Sequence, residues 1–178
     1  MADVQNLLIE NPLLGTWHLV RWEITYDDGR APSLPFGAEA TGLILYANDG
    51  WMNACIARGG RARLSSESVR SAPEGECLAA FESFFQYAGR YEIRTAHGQQ
   101  QVVHSVTHSL NPNFVGTRQV RNMTFAADGG LTLSASDTVP GTDVARHHRL
   151  IWARQAAPNE AQANQAPANQ PPTKRASP

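Results

Sequence analysis

Two histidines in one apolar stretch, His104 and His108 in VVHSVTHSLNPN over 102–113, are the side chains of this chain best suited to proton chemistry. Successive side chains of an extended strand point to opposite faces. Val102, His104, Val106, His108 and Leu110 then share one face, and Val103, Ser105, Thr107 and Ser109 the other. The first set is the more apolar and is expected to face inward. A histidine among apolar neighbours resists protonation because desolvation disfavours the cation. It can then serve as acid or base near neutral pH. Two readings of His104 stand side by side. Either it moves a proton on a bound molecule, or it hydrogen-bonds a tyrosine or Arg121 and completes the core. His108, nearer the strand end, is the second candidate. At about 3.3 Å per residue the two lie roughly 13 Å apart. Zinc–nitrogen bonds are only about 2.0–2.1 Å long, so the pair cannot chelate one ion. His147-His148 adds one ligand at most, since adjacent residues point apart. No metal and no cofactor is expected.

An acid or base needs a group that steadies the charge it creates. Tyr46 shares a face with Ile44, and its hydroxyl can donate to a substrate oxygen. Arg118 and Arg121 have opposite parity, and Arg121 falls with Met123 and Phe125, so Arg121 is the one expected inside. A buried cation needs a partner, which could be a ligand carboxylate or enolate, an acid of the chain, or the face of Trp17 or Trp51. Trp51, Phe81, Phe84, Tyr87, Tyr91 and Val106 are the residues expected to line the interior and touch a ligand. Ser105 lies on the opposite face from His104, and no nucleophile elbow or dinucleotide fingerprint occurs, which argues against a serine hydrolase and a nicotinamide enzyme. Gly59-Gly60 lacks the consensus of a phosphate loop.

Short alternating runs must position these groups. Strands are expected over 15–25, 41–47, 51–57, 90–95, 101–110, 117–126, 131–136 and 146–154. Asn48-Asp49-Gly50 is a hairpin signal, since these residues tolerate positive φ. In the first strand His18, Val20, Trp22 and Ile24 are more apolar than a solvent face should be. Either they pack on something, leaving room for a homodimer, or a bulge flips the register partway. One helix is expected over 74–88, with a stripe of Leu78, Phe81, Phe84, Phe85 and Ala88 and Gly89 as its left-handed stop. Strands of this length with tight turns predict an all-β antiparallel up-and-down barrel of about eight strands, with the helix packed on or over it.

The chain has 178 residues, 42% hydrophobic, with a net charge of −1. That suits one domain and offers none of the basic excess of a nucleic-acid binder. No apolar run has the length of a membrane helix. Residues 1–11 read as a lead-in with a helical turn around Val4, Leu7 and Leu8. Residues 12–155 read as the barrel, and 156–178, rich in Ala, Pro, Asn and Gln, as a disordered tail. The start resembles no signal peptide, and the two cysteines, Cys55 and Cys77, have no metal-ligand spacing, so a cytoplasmic protein is expected.

Five stretches in order, GTWHLV (15–20), GLILYANDGWM (42–52), YAGRYEI (87–93), VVHSVTHSLNPNFVGTRQVR (102–121) and LIWAR (150–154), resemble the bacterial and fungal lipocalin-like domain proteins. The resemblance implies a small calycin-type barrel, with Trp17 closing its floor and Arg154 packed across it. Ser105 departs from relatives that carry a second adjacent histidine there. Some members of that group sit beside natural-product or catabolic genes, and related barrels include carriers and cofactor-free cyclases and isomerases. Two functions are therefore expected of the cavity. One is a cofactor-free isomerase, cyclase or dehydratase (lyase) acting on a small hydrophobic oxygenated molecule such as a polyketide or terpenoid, with His104, His108, Tyr46 and Arg121 as its chemistry. The alternative is a non-catalytic carrier of a small ligand.

Overall fold

The computed structural model describes residues 11–154. The lead-in turn and the tail expected over 156–178 lie outside the described residues. Eight strands follow one another: β1 (Gly15–Tyr26), β2 (Thr41–Tyr46), β3 (Trp51–Ala57), β4 (Phe84–Ala96), β5 (Gln99–Ser109), β6 (Arg118–Phe125), β7 (Leu131–Thr138) and β8 (Ala145–Arg154). Each pairs antiparallel with the next, and β8 pairs back onto β1, so the sheet closes as a barrel. Alternation along the strands sends Trp17, Ile44, Met52, Ile56, Val102, Leu131, Leu133 and Trp152 inward as a buried core. The 48–50 hairpin forms as its sequence predicts, with Gly50 at φ 84° and the Asp49 carboxylate accepting from the Trp51 N–H.

The floor of the barrel is sealed by Trp17. Its indole N–H donates to the Leu13 carbonyl at 2.7 Å. The Arg154 guanidinium lies 4.2 Å from the centre of the Trp17 ring and donates to the carbonyls of Pro12 and Leu14.

Two bulges break the alternation, and both change which residues are inside. On β1, Leu19 faces Trp152 and Arg21 faces Ile151, so Val20 is an extra residue. Parity flips there. Trp17 and Leu19 point in before the bulge, and Trp22 and Ile24 point in after it. Trp22 and Ile24, the members of that apolar set that left room for a homodimer, are therefore interior, while His18 and Val20 stay exposed, and that basis for a dimer is gone. On β5, Gly89 faces Val106 and Ala88 faces His108, so Thr107 is the extra residue. His104 and Val106 stay inside, while His108 turns out to solvent. The expectation that His108 shares the inner face is overturned by this one residue. The pinch also explains Gly89, where a Cβ would stand 2.0 Å from the Ser105 carbonyl oxygen.

The helix is shorter than its sequence predicts. α1 covers Glu74–Glu82, and Phe84 already pairs with Ala57 at the start of β4. The apolar run continues through both elements, so periodicity marks no boundary. Closing the barrel needs residues 84–88 as strand, and tertiary pairing overrides a weak local preference. Gly89 consequently sits within a strand rather than at a helix end. α1 buries none of its residues, and Leu78 and Phe81 are exposed. It rests against the 58–65 loop, where Arg61 donates to the Ala80 carbonyl and Glu76 accepts from Ser65. It does not cap the barrel interior.

Candidate functional site

The barrel encloses a cavity of about 420 Å³, within the range that holds a small organic molecule. Its walls are mainly apolar: Ile44, Ala54, Ile56, Leu133 and Leu150 from the strands, with Phe85 and Phe114 packed edge to face at 5.5 Å. Trp22 stacks on Phe36 from the 27–40 loop at 5.3 Å and lines one side.

Behind one wall lies a chain of three polar side chains. The His104 imidazole is fully buried. Its Nε2 lies 2.9 Å from the Tyr46 hydroxyl and its Nδ1 2.8 Å from the Tyr87 hydroxyl. Burial, and after it the nearby positive charge of Arg121, push the His104 pKa down to about 3. The ring is therefore neutral at physiological pH. Burial likewise pushes the Tyr46 hydroxyl well above the ordinary tyrosine range and raises Tyr87, so both stay protonated. Tyr87 lines the cavity, whereas His104 and Tyr46 do not. Both ring nitrogens of His104 are thus occupied by tyrosines, and its contact with a ligand would run through Tyr87.

Arg121 projects from β6 into the cavity. Its guanidinium donates to the Val120 carbonyl at 2.8 Å and to the Gln119 side-chain oxygen at 3.1 Å. Both acceptors are neutral, and among the described residues Arg121 makes no ion pair. Trp152 lines the same space with its ring, while its indole N–H is closed off and has no hydrogen-bond partner among the described residues. Arg121 is therefore a cation on the cavity wall whose partners among the described residues are neutral.

The other polar group is an acid–base cluster on β7 and β8. Asp137 accepts from Arg146 at 2.6 and 3.0 Å, and His148 Nε2 lies 3.3 Å from the same carboxylate. The Trp22 indole N–H reaches His148 Nδ1 at 3.4 Å. Burial lowers the His148 pKa, Asp137 opposes that shift, and Arg146 and Arg121 add to it, leaving the net value below an ordinary histidine. The Arg146 hydrogen bond leads the lowering of the Asp137 pKa. His148 is thus a neutral, half-buried imidazole on the cavity wall, backed by a carboxylate.

A family model described as a lipocalin-like domain matches residues 14–155. The chain belongs to the lipocalin-like domain family. The Trp17–Arg154 floor is the pairing that its sequence resemblance implies. No curated protein matches the sequence. Among solved structures, an uncharacterized protein of Saccharomyces cerevisiae, YLR301w, is similar, with 12% identity, a TM-score of 0.45, and coverage of 77% of this chain and 52% of the yeast one. The chain thus spans about half the length of that yeast protein.

Of the residues singled out in the sequence, this lipocalin-like barrel brings Tyr87 and Arg121 to the cavity and sets His104 and Tyr46 directly behind Tyr87. Val106 is buried in the core, and Tyr91 hydrogen-bonds Asn11 and the Ala47 carbonyl, so neither lines the cavity. Trp51 stands on the outer face beneath Arg90, at 4.8 Å. Phe84 also points outward, under Arg61 at 5.0 Å, and Phe81 is exposed on α1. These three were expected inside. Trp51 has the outward parity of its strand, Phe84 belongs to β4 rather than to the helix, and Phe81 sits on a helix that buries none of its residues. His148 and Asp137 are the groups that sequence reasoning missed. Counting back from Trp152 by twos through Leu150 puts His148 inside, so its parity was available, but its pairing with Asp137 depends on strand register.

Proposed function

We propose that this lipocalin-like barrel binds a small apolar molecule carrying a carbonyl, enolate or carboxylate oxygen and moves a proton on it, with no cofactor required for that step. The observation that carries this reading is Arg121, a cation facing a mainly apolar cavity with only neutral oxygens as partners among the described residues. A desolvated guanidinium is strongly stabilised by a negative or electron-rich oxygen. A ligand would supply it.

The chemistry follows from what stands on the wall. Isomerisations, cyclisations and eliminations of polyketide- or terpenoid-like molecules share one step, loss of a proton from the carbon beside a carbonyl. The C–H bond breaks, its electron pair becomes the enolate C=C, and the carbonyl π pair moves onto oxygen. His148 Nδ1 would take the proton once the long 3.4 Å hydrogen bond it accepts from the Trp22 indole N–H gives way to the ligand, with Asp137 on Nε2 steadying the imidazolium, and Arg121 would hold the enolate oxygen. His148 rather than His104 is assigned the base because it lines the cavity and His104 does not. The alternative, a carrier, draws on the apolar walls and needs only the binding half of this arrangement.

One assay separates the two. β-Tetralone, a bicyclic ketone small enough for the cavity, is incubated with the protein in heavy water, and loss of its α-proton signal is followed by NMR. The enzyme reading expects exchange above the buffer rate and a loss of roughly 100-fold in His148→Gln. Binding of the ketone with exchange at the buffer rate leaves the carrier. Native mass spectrometry of the freshly purified protein, looking for a retained oxygenated ligand, tests the binding half directly.

A further inference from the structure

The buried chain Tyr46–His104–Tyr87 has a direction, and the direction names the group that meets the ligand. A neutral imidazole carries one N–H and one lone pair. One tyrosine must therefore donate to the ring and the other must accept from it. The chain holds three hydrogens, two hydroxyl and one imidazole, for two hydrogen bonds. One hydrogen is left over, and it must belong to the tyrosine that accepts.

The two tyrosines are not equivalent in what they can do with it. Among the described residues each hydroxyl has His104 as its hydrogen-bond partner. Tyr46 sits in the core away from the cavity, where an unused O–H would be buried without an acceptor, a costly arrangement. Tyr87 lines the cavity, where a ligand oxygen can take the spare hydrogen.

We infer that Tyr46 donates to Nε2 of His104, that Nδ1–H donates to Tyr87, and that the Tyr87 hydroxyl is thereby held as a donor to the ligand's oxygen. This rests on the ligand-binding reading above and narrows it. Tyr87 and Arg121 both donate, so the site selects a ligand oxygen that accepts, such as a ketone, ester, carboxylate or enolate. His104 and Tyr46 are positioning residues, fixing the tautomer and polarising the donor through a continuous hydrogen-bond chain. Burial, and after it the positive charge of Arg121, keeps the imidazole neutral, and the same charge acts against the rise that burial causes at both tyrosine hydroxyls.

Nitrogen-15 NMR of ring-labelled histidine in the unliganded protein decides the direction without a ligand. Nδ1 is expected to be the protonated nitrogen of His104 and Nε2 the lone-pair nitrogen. The reverse pattern overturns the inference, whatever the protein binds. Tyr46→Phe, a change outside the cavity, is expected to mix the two tautomers; an unchanged Nδ1–H signature would show that Tyr46 does not set them. The donor role is read by titrating β-tetralone against tetralin, which lacks the carbonyl. Tyr87→Phe is expected to weaken β-tetralone about tenfold and leave tetralin as it was. Equal affinity of wild type and Tyr87→Phe for β-tetralone removes Tyr87 as the donor while leaving the ligand reading intact. If wild type binds neither probe, the ligand reading fails, and the donor role falls with it.

Discussion

The floor of the barrel and its cavity use the same two residue types in opposite ways. At the floor, Trp17 gives its N–H to the Leu13 carbonyl and Arg154 spends its donors on the Pro12 and Leu14 carbonyls while covering the Trp17 ring. In the cavity, the Trp152 N–H has no partner, and Arg121 has two neutral acceptors and no ion pair among the described residues. An arginine and a tryptophan that satisfy each other and the backbone hold a structure closed. The cavity arginine, with no carboxylate beside it among the described residues and an apolar space before it, is arranged for something that arrives later.

The contrast can be broken by substitution. Trp17→Ala removes a fully buried indole from the floor and is expected to cost about 3–5 kcal/mol of stability, read by chemical denaturation. A loss well under 1 kcal/mol would mean that the floor is not the structural half of the pair.

His104 offers a second effect, one that depends on pH. Its pKa in the fold is about 3, below the ordinary value of 6.5 that the unfolded chain would show. Between those values the unfolded state binds the extra proton, so this residue's contribution to stability is present above pH 6.5 and is lost as pH falls towards 3. The slope from this one group approaches about 1.4 kcal/mol per pH unit at its steepest. Denaturation midpoints measured across that range should fall more steeply for wild type than for His104→Gln. Parallel curves would mean that the imidazole is not held neutral.

The smallest expected change in stability is at Arg121. Arg121 is half-buried and has no ion pair to lose among the described residues, and a charge removed from water without an opposite charge costs free energy that an apolar side chain does not. Arg121→Met should therefore keep its melting temperature or raise it by about 2–4 °C, equivalent to about 1 kcal/mol. Affinity for an aromatic carboxylate such as naphthoate should meanwhile fall at least tenfold. A large loss of melting temperature in Arg121→Met would move this arginine into the same structural class as Arg154.

What could be read from the sequence follows the reach of parity. Alternation alone placed His104 and Arg121 inside and identified an antiparallel barrel, because both depend on runs of regular strand. It failed at Val20 and Thr107, where one extra residue reverses the faces and sends Trp22 in and His108 out. The bulge on β1 left a trace, an apolar set where a solvent face belonged. The bulge on β5 left none in VVHSVTHS, since the residues after Val106, threonine, histidine and serine, suit either face. The α1–β4 boundary was hidden because aromatic residues suit either element. The Asp137–His148 pair was out of reach for a different reason. It joins neighbouring strands at offset positions, His148 facing Ala135 and Asp137 facing Arg146, and register is set by the closed sheet rather than by either strand.

The pairing of Trp17 with Arg154 has one more consequence. It seats the start of β1 beside the end of β8, so the eight strands form an almost unbroken loop of chain with its cut at the floor. In topological terms the position of that cut is arbitrary to the sheet. Joining residue 154 to residue 11 with a short linker and reopening the chain in the 127–130 turn would preserve every strand neighbour. The lipocalin-like barrel is in this sense a ring of hairpins, and its cavity belongs to the ring rather than to either end.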